Sequence, residues 1–194
     1  REHRLNEVFP ADLPESEDDI GVICQGGMYN AAIRALQLLG LADASGRTRV
    51  PLYCLNVTYP LIPEEVTDFC AGKRAVLVVE EGQPNYLEEA ISSLLRKADL
   101  NTKLFGKGPF PMAGEYTGEV VLRGMSLFLE EVLGERFGNQ AGVVRAIDDV
   151  KQRAGALLGG PVPARPPGFC TGCPERPVFS ALKLAQREVG NVHV

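Results

Sequence analysis

Residues 74–95 read RAVLVVEEGQPNYLEEAISSLL, and this stretch carries the strongest folding signal in the sequence. Residues 75–79 form an unbroken apolar run, which is typical of a strand covered on both faces in a parallel sheet. Pro84 suits the first turn of a helix, because its missing N–H needs no partner there. Apolar residues then repeat at helical spacing, at Leu87, Ala90, Ile91, Leu94 and Leu95. The stretch predicts a buried strand followed by an amphipathic helix.

The other segments are interpreted as layers around this unit. Residues 20–24 (IGVIC), 51–57 (PLYCLNV) and 102–105 (TKLF) predict three more strands. Helices are predicted after the turn at 25–27, from Pro63 towards Gly72, and over residues 119–133 and 143–158. Strands that alternate with helices indicate an α/β fold with three layers, α/β/α, and a mostly parallel sheet.

Composition shifts suggest four segments. Residues 1–19 are polar and acidic, which predicts a linker, and residues 20–158 form the α/β domain. A Pro/Gly-rich linker is predicted at 159–169, and residues 170–194 are expected to open a second domain.

Charge and hydropathy exclude several classes of partner. The formal net charge is −5 and no long Lys/Arg run is present, so we expect no nucleic-acid binding and no attachment to an anionic membrane. No apolar segment approaches the roughly 20 residues that a membrane-spanning helix needs, and the first residues do not resemble a signal peptide. We therefore predict a cytoplasmic protein.

Two acidic residues follow the central strand. Open α/β sheets place ligands beyond the carboxyl ends of their strands, so Glu80 and Glu81 are candidate site residues. Adjacent strand residues point to opposite faces and cannot form a carboxylate dyad, which favours a structural or interface role. Lys107, between two glycines, is predicted to be solvated rather than bound to phosphate. The turn at Gln25–Met28 lacks GxGxxG and is interpreted as a plain tight turn.

The cysteines divide into two groups. Cys170 and Cys173 are spaced to direct two sulfurs at one metal ion, as in zinc or iron–sulfur sites, yet two thiolates are only half of a four-ligand site. The two histidines, His3 and His193, stand near the chain ends. The remaining cysteines lie in apolar surroundings and are expected in the core: Cys24, Cys54 and Cys70.

Four stretches together resemble one enzyme family. They are residues 56–65 (NVTYPLIPEE), 76–89 (VLVVEEGQPNYLEE), 105–121 (FGKGPFPMAGEYTGEVV) and, most specifically, 165–183 (RPPGFCTGCPERPVFSALK). From Ile20 onward the sequence is similar to the middle of the large (alpha) subunit of indolepyruvate:ferredoxin oxidoreductase, a thiamine-diphosphate-dependent 2-oxoacid:ferredoxin oxidoreductase.

The resemblance implies a transketolase C-terminal-like domain over residues 20–133, followed by the start of a domain that binds the cofactor's diphosphate. It implies a parent enzyme that oxidatively decarboxylates arylpyruvates to acyl-CoA with thiamine diphosphate, magnesium and 4Fe–4S clusters. The expected partners are the other domains of the parent chain, a smaller subunit, ferredoxin and coenzyme A, with a homodimer as a further expected arrangement. By analogy, Cys170 and Cys173 would supply two cluster ligands.

The sequence contains neither the GDG motif of the metal-diphosphate site nor a ferredoxin-type cysteine run. We therefore expect no catalytic residue and no cofactor in this segment. We expect an assembly role instead, with four interface candidates: Glu80, Glu81, Tyr59 and Pro60. Two alternatives stay open. One is a free-standing module that binds a small anion in a pocket formed by the turn Gln25–Met28 and the end of the central strand. The other is a metal or redox protein that uses its Cys-x-x-Cys pair.

Overall fold

The computed structural model describes residues 5–160, 173 and 175–190, with the side chains of 138–141 left aside. The chain divides into two compact units, Arg1–Lys151 and Gln152–Val194. The first unit holds the sheet and its covering helices. No helix within the described ranges is long and apolar enough to cross a membrane.

The first unit is built on a five-stranded sheet with the spatial order β1-β3-β2-β4-β5. Strands β2, β3, β4 and β5 run parallel, whereas β1 pairs antiparallel with β3 at one edge. The mostly parallel sheet predicted from the sequence is confirmed. The strand bounds are β1 Glu7–Phe9, β2 Ile20–Gln25, β3 Leu52–Leu55, β4 Ala75–Val79 and β5 Lys103–Phe105.

Six α-helices lie in the part of the chain that the structure describes. The first four connect and cover the strands, the fifth begins in the first unit and ends in the second, and the sixth belongs to the second unit. Short 3-10 turns occupy Gly26–Met28 and Gly134–Gln140. The helix bounds are α1 Tyr29–Leu38, α2 Pro63–Cys70, α3 Tyr86–Lys97, α4 Gly118–Leu133, α5 Ala141–Leu158 and α6 Glu175–Val189.

Two apolar clusters lie on opposite faces of the sheet. Helices α1 and α4 pack on one face, and α2 and α3 pack on the other. The side chains of β4 alternate between them, with Leu77 and Val79 in the first cluster and Val76 and Val78 in the second. A strand with helices on both faces needs apolar residues in both directions, which explains its continuous apolar run. The α/β/α layering is therefore confirmed.

The N-terminal segment differs from the predicted linker. Residues Glu7–Phe9 form β1, and the N–H of Asp12 donates to the carbonyl of Thr48. The ring of Phe9 also lies 4.8 Å from the ring of Tyr29. An edge strand needs apolar contact for only a few side chains, so its sequence is as polar as that of a linker.

The position of Pro84 also differs from the prediction. Helix α3 begins at Tyr86, and Pro84 lies before it. The first turn of α3 has an acceptor from outside the helix. The carboxylate of Glu80 accepts from the N–H of Leu87. The start of α3 is therefore set by a tertiary contact.

We predict that Gly124→Ala destabilises the fold. Gly124 is buried in α4, and a Cβ there would collide with the ring of Phe110. Overpacking of this kind costs about 1–3 kcal/mol, which exceeds the gain of about 1 kcal/mol that alanine brings to a helix. Urea unfolding followed by far-UV circular dichroism measures the change.

Gly142→Ala is the matched control, because nothing lies within 4 Å of a Cβ built at that position of α5. It should leave the free energy of unfolding unchanged or slightly higher. Equal effects of the two substitutions would contradict the steric explanation.

Candidate functional site

The candidate site lies at the carboxyl ends of β2 and β4. These strands are neighbours, and from β2 the chain crosses to β3 on one side before it returns to β4 on the other. Such a reversal opens a crevice at the carboxyl edge of a parallel sheet, where this class of fold binds its ligands. The residues at this edge therefore decide whether the domain can hold a ligand.

Glu80 is the first residue after β4 and is 5% exposed. Its Oε1 accepts from the backbone N–H of Leu87 at 2.9 Å, and its Oε2 accepts from the N–H of Glu88 at 3.2 Å. Both donors belong to the first turn of α3, where the helix dipole favours a negative charge. The carboxylate thus occupies the position that a bound anion would take at this helix.

Glu81 makes different contacts. Its N–H donates to Oε1 of Gln25 at 2.9 Å, which ties the end of β4 to the end of β2. Its Oε1 accepts from the N–H of Tyr116 at 2.6 Å. The carboxylates of Glu80 and Glu81 therefore have separate partners and form no dyad.

Lys107 closes the same edge, so the prediction of a solvated lysine was wrong. Its ammonium donates to the carbonyls of Glu80 and Gly82 at 2.6 and 2.7 Å and to the hydroxyl of Tyr116 at 2.9 Å. Its backbone N–H donates to Oε2 of Glu88 at 3.0 Å. The loop after β5 folds back onto the end of β4, and sequence spacing gives no signal of that return.

A glycine makes room for a side chain where this loop turns. A Cβ at Gly106 would collide with the carboxylate of Glu88, which binds the next N–H of the loop. The glycine beside Lys107 therefore serves close packing.

A surface groove of about 580 Å³ lies beside this closed edge. Its rim carries Tyr59, which is 89% exposed, and Tyr86, which is 70% exposed. Pro60 is exposed next to Tyr59. The groove is lined by Gln25, Thr58, Tyr59, Leu61, Glu80, Tyr86, Leu87, Ala90, Ser93, Leu94 and Lys97. The carboxylate of Glu80 in this lining is already hydrogen-bonded to the start of α3. The remaining surface of the groove is mainly apolar.

The turn at Gln25–Met28 is short and tight. A Cβ on Gly26 would lie 2.7 Å from Oδ1 of Asn56, so a larger residue there would require that side chain to move. The side chain of Gln25 is bound to Glu81. These contacts shape the turn, and its binding of an anion stays a prediction.

Residues 11–109 match the family described as the indolepyruvate ferredoxin oxidoreductase middle domain. The chain belongs to this family. It is 30% identical over 188 residues to indolepyruvate oxidoreductase subunit IorA of Methanothermobacter marburgensis, covering 96% of this chain and 26% of the relative. The IorA subunit of Archaeoglobus fulgidus is 27% identical over 182 residues, which cover 92% of this chain and 25% of that protein. The chain thus spans about a quarter of these relatives.

A solved structure is also similar to part of this chain. It is the 2-oxoglutarate:ferredoxin oxidoreductase from Magnetococcus marinus with 2-oxoglutarate, coenzyme A and succinyl-CoA bound. The TM-score is 0.42 at 19% sequence identity, and the match covers 63% of this chain and 19% of the other.

The middle domain keeps three cysteines buried: Cys24, Cys54 and Cys70. Burial raises the pKa of the Cys24 thiol, and it raises the pKa of Cys70 to about 11. Both thiols therefore stay protonated at neutral pH and behave as small apolar side chains.

Only one of the two predicted metal ligands lies within the residues that the structure describes. Cys173 is a half-buried free thiol, and Cys170 lies outside the described residues. Over the described ranges, no group of three or more His, Cys, Asp or Glu side chains is placed to hold a metal ion. The Cys170 and Cys173 site stays a prediction.

The polar groups at the carboxyl end of β4 are not arranged to hold thiamine diphosphate. A diphosphate with magnesium requires free N–H groups and oxygen ligands. At this edge the carboxylate of Glu80 binds the first N–H groups of α3, and Glu81 binds Tyr116. The polar groups at this edge bond to other parts of the fold.

We predict that Glu80→Gln destabilises the domain by about 1–3 kcal/mol, because an amide has only one oxygen and would turn an N–H donor towards an N–H of α3. Urea unfolding measures the loss. Glu89→Gln is the control, since Glu89 is an exposed residue of the same helix, and it should shift the unfolding free energy by no more than about 0.5 kcal/mol. An equally small effect at Glu80 would show that its contacts do not stabilise the fold.

Proposed function

We propose that this chain is a non-catalytic structural and assembly domain of an indolepyruvate:ferredoxin oxidoreductase. One observation carries the proposal. The sheet edge where α/β folds bind ligands is filled by the chain's own carboxylate from Glu80 and ammonium from Lys107. A group that acts on a substrate must have atoms free to meet it, and these atoms are already bonded.

The groove supports the assembly part of the proposal. Tyrosine is enriched at protein interfaces, because its ring buries a large apolar area while its hydroxyl keeps a polar contact. Two such rings, Tyr59 and Tyr86, stand at the rim of one apolar groove. The relatives are about four times as long as this chain, so other domains of the parent chain are the proposed neighbours.

In this proposal the chemistry belongs to the rest of the parent enzyme. That enzyme oxidatively decarboxylates arylpyruvates to acyl-CoA and reduces ferredoxin, with thiamine diphosphate, magnesium and 4Fe–4S clusters outside the α/β domain. A smaller subunit, ferredoxin and coenzyme A are its proposed partners. Cys170 and Cys173 are proposed as two cluster ligands that other parts of the enzyme complete.

We predict that the purified chain does not bind thiamine diphosphate. Isothermal titration calorimetry with magnesium present should show no saturable heat, because the described edge offers no free donor set. Micromolar affinity for the cofactor would overturn the non-catalytic assignment.

We predict that Tyr59→Ala in the full-length gene product weakens its assembly. A central aromatic interface residue typically loses tenfold or more in affinity on truncation, so we expect at least about a tenfold loss. Sedimentation velocity of the parent enzyme with its smaller subunit measures the assembled fraction.

Met112→Ala is the control, because Met112 is 48% exposed and does not line the groove. The melting temperature of the isolated chain should be unchanged by either substitution. Full assembly of the Tyr59 variant would show that this rim forms no interface between subunits.

A second candidate function is a free-standing small-molecule module. The groove volume of about 580 Å³ lies in the range of about 300–1,000 Å³ that small-molecule sites occupy. The same Tyr59 variant separates an interface from a ligand site at this groove, since a ligand site would leave assembly intact.

A further inference from the structure

The ammonium of Lys107 meets an oxygen atom with each of its donors. It donates to the carbonyl of Glu80 at 2.6 Å, to the carbonyl of Gly82 at 2.7 Å and to the hydroxyl of Tyr116 at 2.9 Å. An ammonium has three N–H donors, so none is left over. Its nitrogen also lies 4.8 Å from the centre of the Tyr116 ring, where the face of the ring attracts a cation.

The three oxygens are held in place by contacts of their own. Gly82 has a φ of +106°, a backbone conformation that glycine adopts without strain, and its carbonyl accepts from the lysine. The N–H of Tyr116 donates to Oε1 of Glu81 at 2.6 Å, and its hydroxyl donates to the carbonyl of Pro111 at 2.6 Å. The hydroxyl therefore keeps its lone pairs for the cation. We call these three oxygens, from Glu80, Gly82 and Tyr116, the cage.

Negative charge accumulates around the cage. The carboxylates of Glu80, Glu81 and Glu88 all accept from backbone N–H groups beside it. Within the part of the chain that the structure describes, no ion pair joins these carboxylates to an arginine or to another lysine. The ammonium of Lys107 is therefore the side-chain cation that offsets them.

The chemistry of the cage indicates which cation fits. Its oxygens are neutral, and rings of neutral carbonyl oxygens are the means by which proteins bind potassium. Magnesium and calcium favour carboxylate ligands, and the carboxylates at this edge bond to backbone N–H groups instead. Potassium and ammonium ions have nearly the same size, whereas sodium is smaller and holds its oxygens closer. The cage therefore suits a single charge of ammonium or potassium size.

We propose that the carboxyl end of β4 holds a site for one monovalent cation of ammonium or potassium size, and that Lys107 fills it as a tethered cation. This cation joins two segments, because the carbonyls come from the turn after β4 and the hydroxyl comes from the loop before α4. Its charge therefore decides whether this edge of the sheet stays closed. The inference goes beyond the proposed assembly role and does not depend on it.

Two substitutions at one position test the site. Lys107→Ala removes the ammonium and leaves the cage open, whereas Lys107→Met removes the charge but fills the same space with an uncharged chain of similar length. Each should lower the melting temperature by about 5–10 °C, because hydrogen bonds to a charged group are lost. Ammonium or potassium chloride at about 200 mM should raise the melting temperature of the alanine variant by at least about 3 °C relative to sodium chloride, which corresponds to a dissociation constant of about 20 mM or below. The methionine variant should show no such preference.

Hydrogen–deuterium exchange locates the effect in the fold. In the alanine variant, residues 80–85 and 106–117 should exchange at least about fivefold faster than in the wild-type chain, and potassium should slow them again. Exchange in α1 should stay at the wild-type rate.

The wild-type chain is the first control, because its cage is already filled and potassium should act on it no more than sodium does. Lys97→Ala is the matched control, since Lys97 is exposed and lies outside the cage. It should keep the melting temperature within about 2 °C of the wild-type value and create no preference for potassium.

An alanine variant that all three salts stabilise equally would overturn the inference, as would a methionine variant that responds as strongly as the alanine variant. A wild-type melting temperature in either variant would also overturn it, because the charge would then hold nothing together. If the alanine variant is unfolded in sodium chloride, ammonium or potassium should restore its helical circular dichroism, and failure to do so would count equally against the site. None of these outcomes decides the assembly role, which the Tyr59 variant tests in the parent enzyme.

Discussion

The structure depends most on the contact between the Glu80 carboxylate and the first N–H groups of α3. A buried carboxylate is unfavourable unless its oxygens are hydrogen-bonded, and the exposed N–H groups of a helix start equally require acceptors. The contact satisfies both needs and sets the position of α3 relative to β4. The carbonyl of Glu80 also accepts from the ammonium of Lys107, which fixes the loop after β5 at the same place.

This arrangement has a functional consequence. The carboxyl edge of the sheet is the part of an α/β fold that usually meets a ligand, and here its polar groups bond to each other. What remains exposed nearby is apolar and aromatic, at Tyr59 and Tyr86. A domain with a closed edge and an open apolar groove is suited to hold other protein surfaces, which is the role that we propose within the longer enzyme chain.

The elements that were predicted well are those with strong local patterns. The apolar run of β4 and the helical repeat of α3 are patterns of neighbouring residues that indicate burial. The bounds of both elements were predicted to within a few residues. The strand β1 was missed, because an edge strand with few buried side chains has no pattern of its own. Lys107 was misjudged, because its three acceptors come from positions 9 to 27 residues away.

The sequence by itself determined the α/β class, the parallel core and the family resemblance, because periodicity and short motifs are local properties of the chain. Only the tertiary structure decided what Glu80, Glu81 and Lys107 do, since their partners lie in other elements. It also decided which side of α3 stays uncovered, and hence that Tyr86 stands at a groove. The burial of apolar side chains follows from the pattern of neighbouring residues. The pairing of polar side chains depends on which distant segments of the chain come together in the fold.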